Sequence, residues 1–235
     1  MPEGTYLSDL SSIESKTTLI LGVDECNFSP SLAGDCVVCC YYNSSGEKIK
    51  GVTDSKQVIK VTQRRLFKDL TDKGIFTIVP ATVNSIDHLG IYTARNYAVV
   101  GAVQMMLMEL EHLDVPLSEA KVLLDGYWSQ VWLKFFEDET GVPFKGIIHG
   151  DAKVYEISAA SIVARVYIDA LFEGYDHFWP GYNVNHNHGS PDPVMYRKLA
   201  KNGPSPIFRT KNYGEVWWKN IMSKKAKYRR KHGKK

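Results

Sequence analysis

The run Leu19-Ile20-Leu21-Gly22-Val23 closes on two adjacent acids, Asp24 and Glu25. A short, nearly continuous apolar run reads as a buried strand. An ionised carboxylate carried into such surroundings is costly unless something pairs with it. No Lys or Arg occurs in the stretch 26–45 to do so locally. Two readings satisfy this constraint. The strand ends at the lip of a site where its carboxylates hold a cation, or it ends in an acidic surface turn. On this stretch alone the surface turn explains the residues at least as well.

The pattern recurs. A short apolar strand is predicted at 122–124, running into Asp125-Gly126, and another at 143–149, running into Gly150-Asp151. If the three strand ends are neighbours, four carboxylates meet in one cavity. They cannot all stay ionised there without divalent cations. Carboxylate oxygens with few His or Cys nearby suit Mg²⁺ or Mn²⁺ rather than Zn²⁺. Two such ions roughly 4 Å apart suit in-line phosphodiester cleavage, one activating the water and one stabilising the leaving 3′ oxygen. Asp24 and Glu25 carry a tension, because adjacent strand residues face opposite sides. They share a site only if the strand bends or ends there, which Asn27 and Pro30 would allow.

The remaining pattern predicts a strand at 18–25, a second at 35–42, a hairpin turn at 43–46 and a short third strand at 48–52. Asp54-Ser55-Lys56 reads as a polar loop. Thr62 is a candidate N-cap for a helix ending near Gly74. A strand at 75–81, a helical turn at 84–89 and a long, largely buried helix at 92–113 follow. Further helices are expected at 130–136, 158–172 and 193–200, the last stopped by Gly203-Pro204-Ser205-Pro206. The stretch 179–187 reads as an aromatic, polar loop, and 213–221 as a last short ordered piece. Strands in a hairpin run, then alternating with helices, predict an α/β fold with a mixed sheet. The expected organisation is a flexible lead at 1–17, a catalytic core at 18–180, a helical extension at 181–221 and a basic tail at 222–235.

Composition excludes several classes. At 235 residues, 44% hydrophobic and 23% charged, the chain can bury one sizeable core. The longest apolar stretch, 98–108, is too short to span a bilayer and contains Gln104. The polar N-terminus shows no signal-peptide pattern, and no dinucleotide-type glycine loop is visible. Cys36 and Cys39 have C-x-x-C spacing without a second such pair, so the cysteines of the apolar run 36–42 read as small buried hydrophobes, and the four unpaired thiols, Cys26 included, suit a reducing, cytoplasmic setting. Of 29 Lys and Arg, eight lie in 222–235 with no acid; without them 21 basic residues face 26 acids. A mildly acidic body with a basic tail suggests a polyanionic partner reached by that tail, or simply a solubilising end. No membrane partner is implied. No dimer motif is visible, so a monomer is expected.

Taken in order, these pieces resemble the type II ribonucleases H, the ribonuclease HII family, over about 19–209. Gly22-Val23-Asp24-Glu25 resembles the family's opening motif, and Leu32-Ala33-Gly34 and Asp54-Ser55-Lys56 follow in place. Leu124-Asp125-Gly126 is similar to its second acid motif. Gly150-Asp151-Ala152-Lys153, then Ser158-Ala159-Ala160-Ser161-Ile162-Val163-Ala164-Arg165, is similar to its third and is the most specific piece. Gly203-Pro204-Ser205-Pro206 resembles the C-terminal loop. The resemblance implies an RNase H-like mixed sheet flanked by helices with a small helical C-terminal extension. It implies Mg²⁺- or Mn²⁺-dependent cleavage of the RNA strand of RNA–DNA hybrids, leaving 3′-OH and 5′-phosphate. Asp24, Glu25, Asp125 and Asp151 match its catalytic, metal-binding carboxylates. Ser55, Lys56, Lys153 and Arg165, with Asn27, Phe28 and Ser29 standing where the family has Gly-Arg-Gly, are the candidates for substrate contact.

Two departures bear on selectivity. Where the family carries Gly-Arg-Gly, approaching the ribose 2′-OH at an RNA-to-DNA junction, this chain has Asn27-Phe28-Ser29 and an extra Ser31. The family's junction tyrosine has no counterpart in His188-Gly189-Ser190-Pro191-Asp192-Pro193. Because the 2′-OH distinguishes RNA from DNA, multi-ribonucleotide hybrids are expected as substrates, with reduced cleavage at a single embedded ribonucleotide. Two alternatives stay open: a non-catalytic RNA- or hybrid-binding protein, and a structure-selective DNA nuclease on the same fold. Phe28 also reads as a packing residue, Asp169 as a surface acid and His149 as an exposed or packed His. His186 and His188 read as polar-loop residues rather than ligands, and Trp217 and Trp218 as a packing anchor.

Overall fold

The computed structural model describes residues 19–28, 31–212 and Trp218. The expected lead, Ser29, Trp217 and the basic tail lie outside the described residues. Strand β1 (Leu19–Cys26) is the spine. It pairs antiparallel with β2 (Cys36–Tyr42), which pairs antiparallel with β3 (Ile75–Ala81). On its other edge β1 pairs parallel with β4 (Ala120–Asp125), and β4 with β5 (Phe144–Ile147). The sheet order is β3-β2-β1-β4-β5. Helix α1 (Lys60–Lys73) lies in the long connection between antiparallel β2 and β3; parallel strands need long crossovers, and α2 (Val83–Leu89), α3 (Ile91–His112) and α4 (Gln130–Thr140) occupy those. After β5 come a helical turn, α5 (Gly150–Lys153), the long α6 (Tyr155–Phe178), a short α7 (Val184–Asn187) and α8 (Pro193–Asn202).

Side chains of a strand alternate between faces, and this decides the layout. Leu19, Leu21 and Val23 share a core with Ala94, Ala98, Val99 and Val103 of α3. The opposite face of the sheet meets α6. There Cys39 and Tyr41 pack with Ala159, Ala160, Val163 and Ala164, and with Leu66 and Leu70 of α1. Small residues on α6 permit a close approach to β1. Gly22 marks the tightest point: a Cβ there would sit 2.2 Å from the Glu156 carbonyl carbon. The third cluster joins α6 to the C-terminal segments through Leu32, Ile168, Phe172, Val184, Leu199, Phe208 and Trp218. Trp218 is thus a packing anchor, as expected.

Several expectations are corrected. There is no strand at 48–52, and 43–46 does not close a hairpin onto one. Both edges of β2 are taken, by β1 and β3, so this segment cannot pair back onto β2 as a hairpin. It is held by side chains instead, the Ile49 N–H donating to the Tyr155 hydroxyl at 3.0 Å. Helix α1 starts at Lys60 without a side-chain cap, so Thr62 lies inside it. The polar loop at 54–56 contains a 3₁₀ turn (Ser55–Gln57), with the Asp54 carboxylate accepting from the Lys56 N–H. Within 179–187, α7 replaces the loop. Asp151 is not at a strand end; β5 stops at Ile147 and Asp151 sits in α5.

Candidate active site

In the parallel β1/β4 ladder Val23 stands opposite Leu124. The next residues, Asp24 and Asp125, are therefore equivalent positions on neighbouring strands, roughly 4.8 Å apart at the backbone. Asp24 follows the parity of Gly22 and faces α6, which carries Ser161. The Ser161 hydroxyl donates to that of Ser55 at 2.9 Å, which ties the 54–56 loop to the site. Asp125 anchors the third acid: its Oδ1 accepts from the N–H groups of Gly150 at 2.7 Å and Asp151 at 3.3 Å. The turn that delivers Asp151 begins at His149, whose φ of 56° is left-handed.

The parity tension is met at the end of the parallel ladder. β1 stays paired with β2 as far as Cys26 opposite Val37, but its pairing with β4 stops at Val23 opposite Leu124, so Asp24 and Glu25 lie past that end, where the charge of Asp125 bears on both. Glu25 turns to the α3 side and meets Arg95, its Oε1 3.2 Å from Nη1. The acids still feel one another. Burial, then the charges of Glu25 and Asp125, hold Asp24 well above the usual carboxylate range. Burial also raises Glu25, against the pull of Arg95, and raises Asp151, with Asp125 and Asp54 adding to it. Asp54 is a further carboxylate at the site that sequence reasoning passes over, although its neighbours Ser55 and Lys56 stand out. Burial draws Lys56 down, but Asp54, Asp151, Asp24 and Asp125 outweigh it and keep its ammonium above its ordinary value. Lys56 approaches Asp151 Oδ2 at 3.8 Å with its side chain largely in solvent.

Five carboxylates thus gather with two cations, Lys56 and Arg95, in contact with them. The surplus of hard oxygen donors, several desolvated, fits divalent cations of the Mg²⁺ or Mn²⁺ kind. Among the described residues, no three acid, His or Cys side chains are drawn close enough to clasp a single ion. Cys36, Cys39 and Cys40 are buried free thiols, as expected. Burial also raises Cys26, to about 11.

The other candidates fall in distinct places. Asn27 has φ 63°, so it keeps a left-handed turn that glycine usually supplies. Its amide donates to the carbonyls of Ala33 and Asp35 at 3.0 and 2.8 Å, holding the loop. Phe28 lies under Arg95, 4.4 Å from the guanidinium carbon to the ring centroid. Fully buried Arg209 binds this loop from the far end of the chain, donating to the carbonyls of Asn27, Phe28, Ser31 and Gly34. Lys153 turns to the Ile148 carbonyl at 2.7 Å rather than into the acid cluster. Lys56, Ser55, Gln63, Lys60 and Arg165 line a cavity of about 500 Å³ beside the cluster. Asp169 is not a surface acid: it is 7% exposed. It receives His188 Nε2 at 2.8 Å, Arg165 Nε at 3.1 Å and Lys60 Nζ at 3.3 Å. His188 is thereby a partner of a buried acid.

A family model described as ribonuclease HII matches residues 21–221, most of the chain. The chain belongs to the ribonuclease HII family. The ribonuclease HII of Lactobacillus gasseri is 31% identical over 200 residues, which cover 83% of this chain and 70% of that protein. Among solved structures, ribonuclease H2 from Pyrococcus horikoshii has a TM-score of 0.69 at 21% identity, with 88% of this chain and 99% of that one covered. A crystal structure of Bst-RNase HIII in complex with Mn²⁺ has a TM-score of 0.63 at 14% identity, over 93% of this chain and 72% of that one. These folds match the five-stranded mixed sheet described above. As a ribonuclease HII, the protein is a hydrolase that cuts RNA in RNA–DNA hybrids. Among the described residues, no helix is long and apolar enough to cross a membrane.

Proposed function

We propose that Asp24, Glu25, Asp125 and Asp151 are the catalytic carboxylates and hold two divalent cations, Mg²⁺ or Mn²⁺, for cleavage of the RNA strand. The observation that carries this reading is the placement of Asp24 and Asp125 side by side on adjacent parallel strands, with Asp151 bonded through its backbone to Asp125. Bound there, such ions supply an activated water and charge stabilisation at the leaving 3′ oxygen, giving 3′-OH and 5′-phosphate products. The Mn²⁺ in the Bst-RNase HIII structure supports the choice of metal. Ser161 and Arg95 flank the two adjacent acids from opposite faces of the sheet. Lys56, at the rim, offers an ammonium to the backbone of the hybrid, and Ser55 fixes its loop. Arg165 and Lys60 extend positive charge along the neighbouring cavity.

In this reading 18–180 is the catalytic core and 181–221 an extension that braces it, and the protein acts as a cytoplasmic monomer. Asn27 keeps a glycine-like left-handed φ, but it and Phe28 carry side chains, packed within the loop and against Arg95, that restrict how closely this backbone can approach a 2′-OH. With no tyrosine at 188–193, this supports reduced cleavage at a single embedded ribonucleotide.

The test is Asp125→Asn, with hybrid cleavage and hybrid binding measured in parallel. Cleavage should fall by about 10³-fold or more while binding survives. Undiminished cleavage would refute the site. A digestion panel of full hybrid, single-ribonucleotide duplex, double-stranded RNA and DNA tests selectivity. The hybrid should be cut well and the single-ribonucleotide duplex poorly; equal rates on both would overturn the selectivity reading.

A further inference from the structure

On the α3 side of the sheet an arginine has been built into the acid cluster. Arg95 is only 12% exposed at its side chain, and its partner Glu25 only 18%. Its guanidinium carbon lies 4.0 Å from the ring centroid of Trp128 and 4.4 Å from that of Phe28. Nε and Nη2 both donate to Asn96 Oδ1, at 3.2 and 3.0 Å, and Nη1 faces Glu25. Asn96 is itself buried, at 1% exposure. The indole of Trp128 in turn donates to the Asp125 backbone carbonyl at 2.8 Å. One side chain thereby links the loop after β1, the end of β4 and a carboxylate of the cluster. With its guanidinium over two rings and hydrogen-bonded to Asn96 and Glu25, this cation is held in place. A mobile surface arginine would have no such shell.

We propose that Arg95 is a positioning residue for hybrid cleavage: it is a fixed counter-cation that holds Glu25 and limits how tightly the acid cluster binds divalent cations. The inference rests on the reading of these carboxylates as the metal-holding group. The contact with Arg95 uses Oε1, and a carboxylate offers about four lone-pair sites, so Glu25 keeps capacity for a second positive partner. A unit positive charge fixed beside the cluster subtracts from its attraction for a divalent ion. It also keeps Glu25 in one orientation before that ion arrives. Without Arg95 the metal-free cluster would be more negative and Glu25 less ordered. Binding would then tighten while turnover slows.

The experiment titrates metal-free protein with Mn²⁺, reading free Mn²⁺ by electron paramagnetic resonance in the absence of nucleic acid. Arg95→Met keeps length and an apolar stem against the rings and removes the charge. Its Mn²⁺ dissociation constant should fall about tenfold, the scale of one unit charge acting on a divalent ion across a few ångströms of wet protein. Its kcat on a hybrid should fall as well. Arg95→Lys keeps the charge and should retain wild-type Mn²⁺ affinity. Arg95→Gln replaces Arg95→Met if the latter does not fold, as judged by circular dichroism. Unchanged or weaker Mn²⁺ binding in the charge-removing variant overturns the proposal. So does equal tightening in Arg95→Lys, because charge would not then be the cause. Asp125→Asn separates the two layers. If it weakens Mn²⁺ binding while the charge-removing variant matches wild type, the Arg95 proposal fails and the site stands. If it leaves Mn²⁺ binding intact, the site reading fails and takes the Arg95 proposal with it.

Discussion

Asp24 sits in surroundings that disfavour its charge. Its carboxyl is 8% exposed as a residue, and its nearest charged neighbours include Glu25 and Asp125. A carboxyl held above its ordinary 3.8 binds more protons in the folded state than in the unfolded chain across the interval above that value. Stability of the metal-free protein therefore falls as pH rises through that interval. Glu25 and Asp151, also raised, add to the same trend. Asp169 acts in the opposite sense. Burial would raise it, but the His188 hydrogen bond and the charges of Arg165, His188 and Lys60 win and lower it. Its contribution is present above the ordinary value and lost as pH falls through the lowered one. Asp24→Asn should accordingly raise the Tm of the metal-free protein by a few degrees at neutral pH and much less at acid pH. Cleavage by the same variant should fall by about 10³-fold. Thermal melts at two pH values, beside a cleavage assay, check both. A lower neutral-pH Tm in Asp24→Asn would contradict the account.

At the scale of elements, the contact between β1 and α6 sets the distance between Asp24 and Ser161. Gly22 is required there by proximity, not by backbone conformation, since a side chain would enter the Glu156 and Ile157 backbone at 2.2–2.4 Å. Backbone cannot yield as a flexible side chain can. Gly22→Ala should cost about 1–3 kcal/mol or more by overpacking, and it should slow cleavage by pushing α6 off the strand that carries Asp24. Denaturant unfolding and kcat test this together; a neutral Gly22→Ala would show that the helix gives way freely. The same helix carries a second fastening near its middle. Arg165 and Asp169, one turn apart, meet His188 from the C-terminal segment. The following Gly189 accepts from the Leu32 N–H at 2.7 Å. A Cβ on Gly189 would lie 2.1 Å from the Ala33 carbonyl oxygen, and its φ is 75°. The extension after α6 is therefore pressed onto the loop that follows the first two acids, and Arg209 locks that loop from beneath.

For the whole molecule, charge is divided by position. The carboxylate cluster is acidic, Lys56, Lys60 and Arg165 form a basic flank, and eight further basic residues lie in 222–235. A polyanion is repelled by the first and drawn by the other two, so long-range attraction and chemistry are served by different parts of the chain. Deleting 224–235 should weaken hybrid binding and flatten its salt dependence, by about 0.9 in log–log slope for each phosphate that is no longer neutralised. It should leave discrimination between hybrid and DNA unchanged, because backbone contacts carry little selectivity. Binding measured across a salt series decides this; an unaltered slope would remove the tail from the interface.

Much of the fold and site is legible in one dimension. The apolar runs ending in acid locate β1, β4 and the approach to Asp151. Turn and small-residue patterns place α3 and α6, and the order of motifs points to the family. These are local signals, set by side-chain period and backbone preference within a few residues. The strand expected at 48–52 would have to pair back onto β2, and β3, from later in the chain, already holds that edge. Asp169 looks like a surface acid because its partners arrive from elsewhere: His188 from beyond α6 and Lys60 from α1. Arg95 lies 70 positions from Glu25, and Arg209 lies 182 from Asn27; neither carries a local mark of its partner. The sequence by itself determined which acids the chain owns and which strands and turns bring them forward. Only the tertiary structure decided which face each acid takes and which cation answers it, because burial and pairing energies belong to contacts between distant segments.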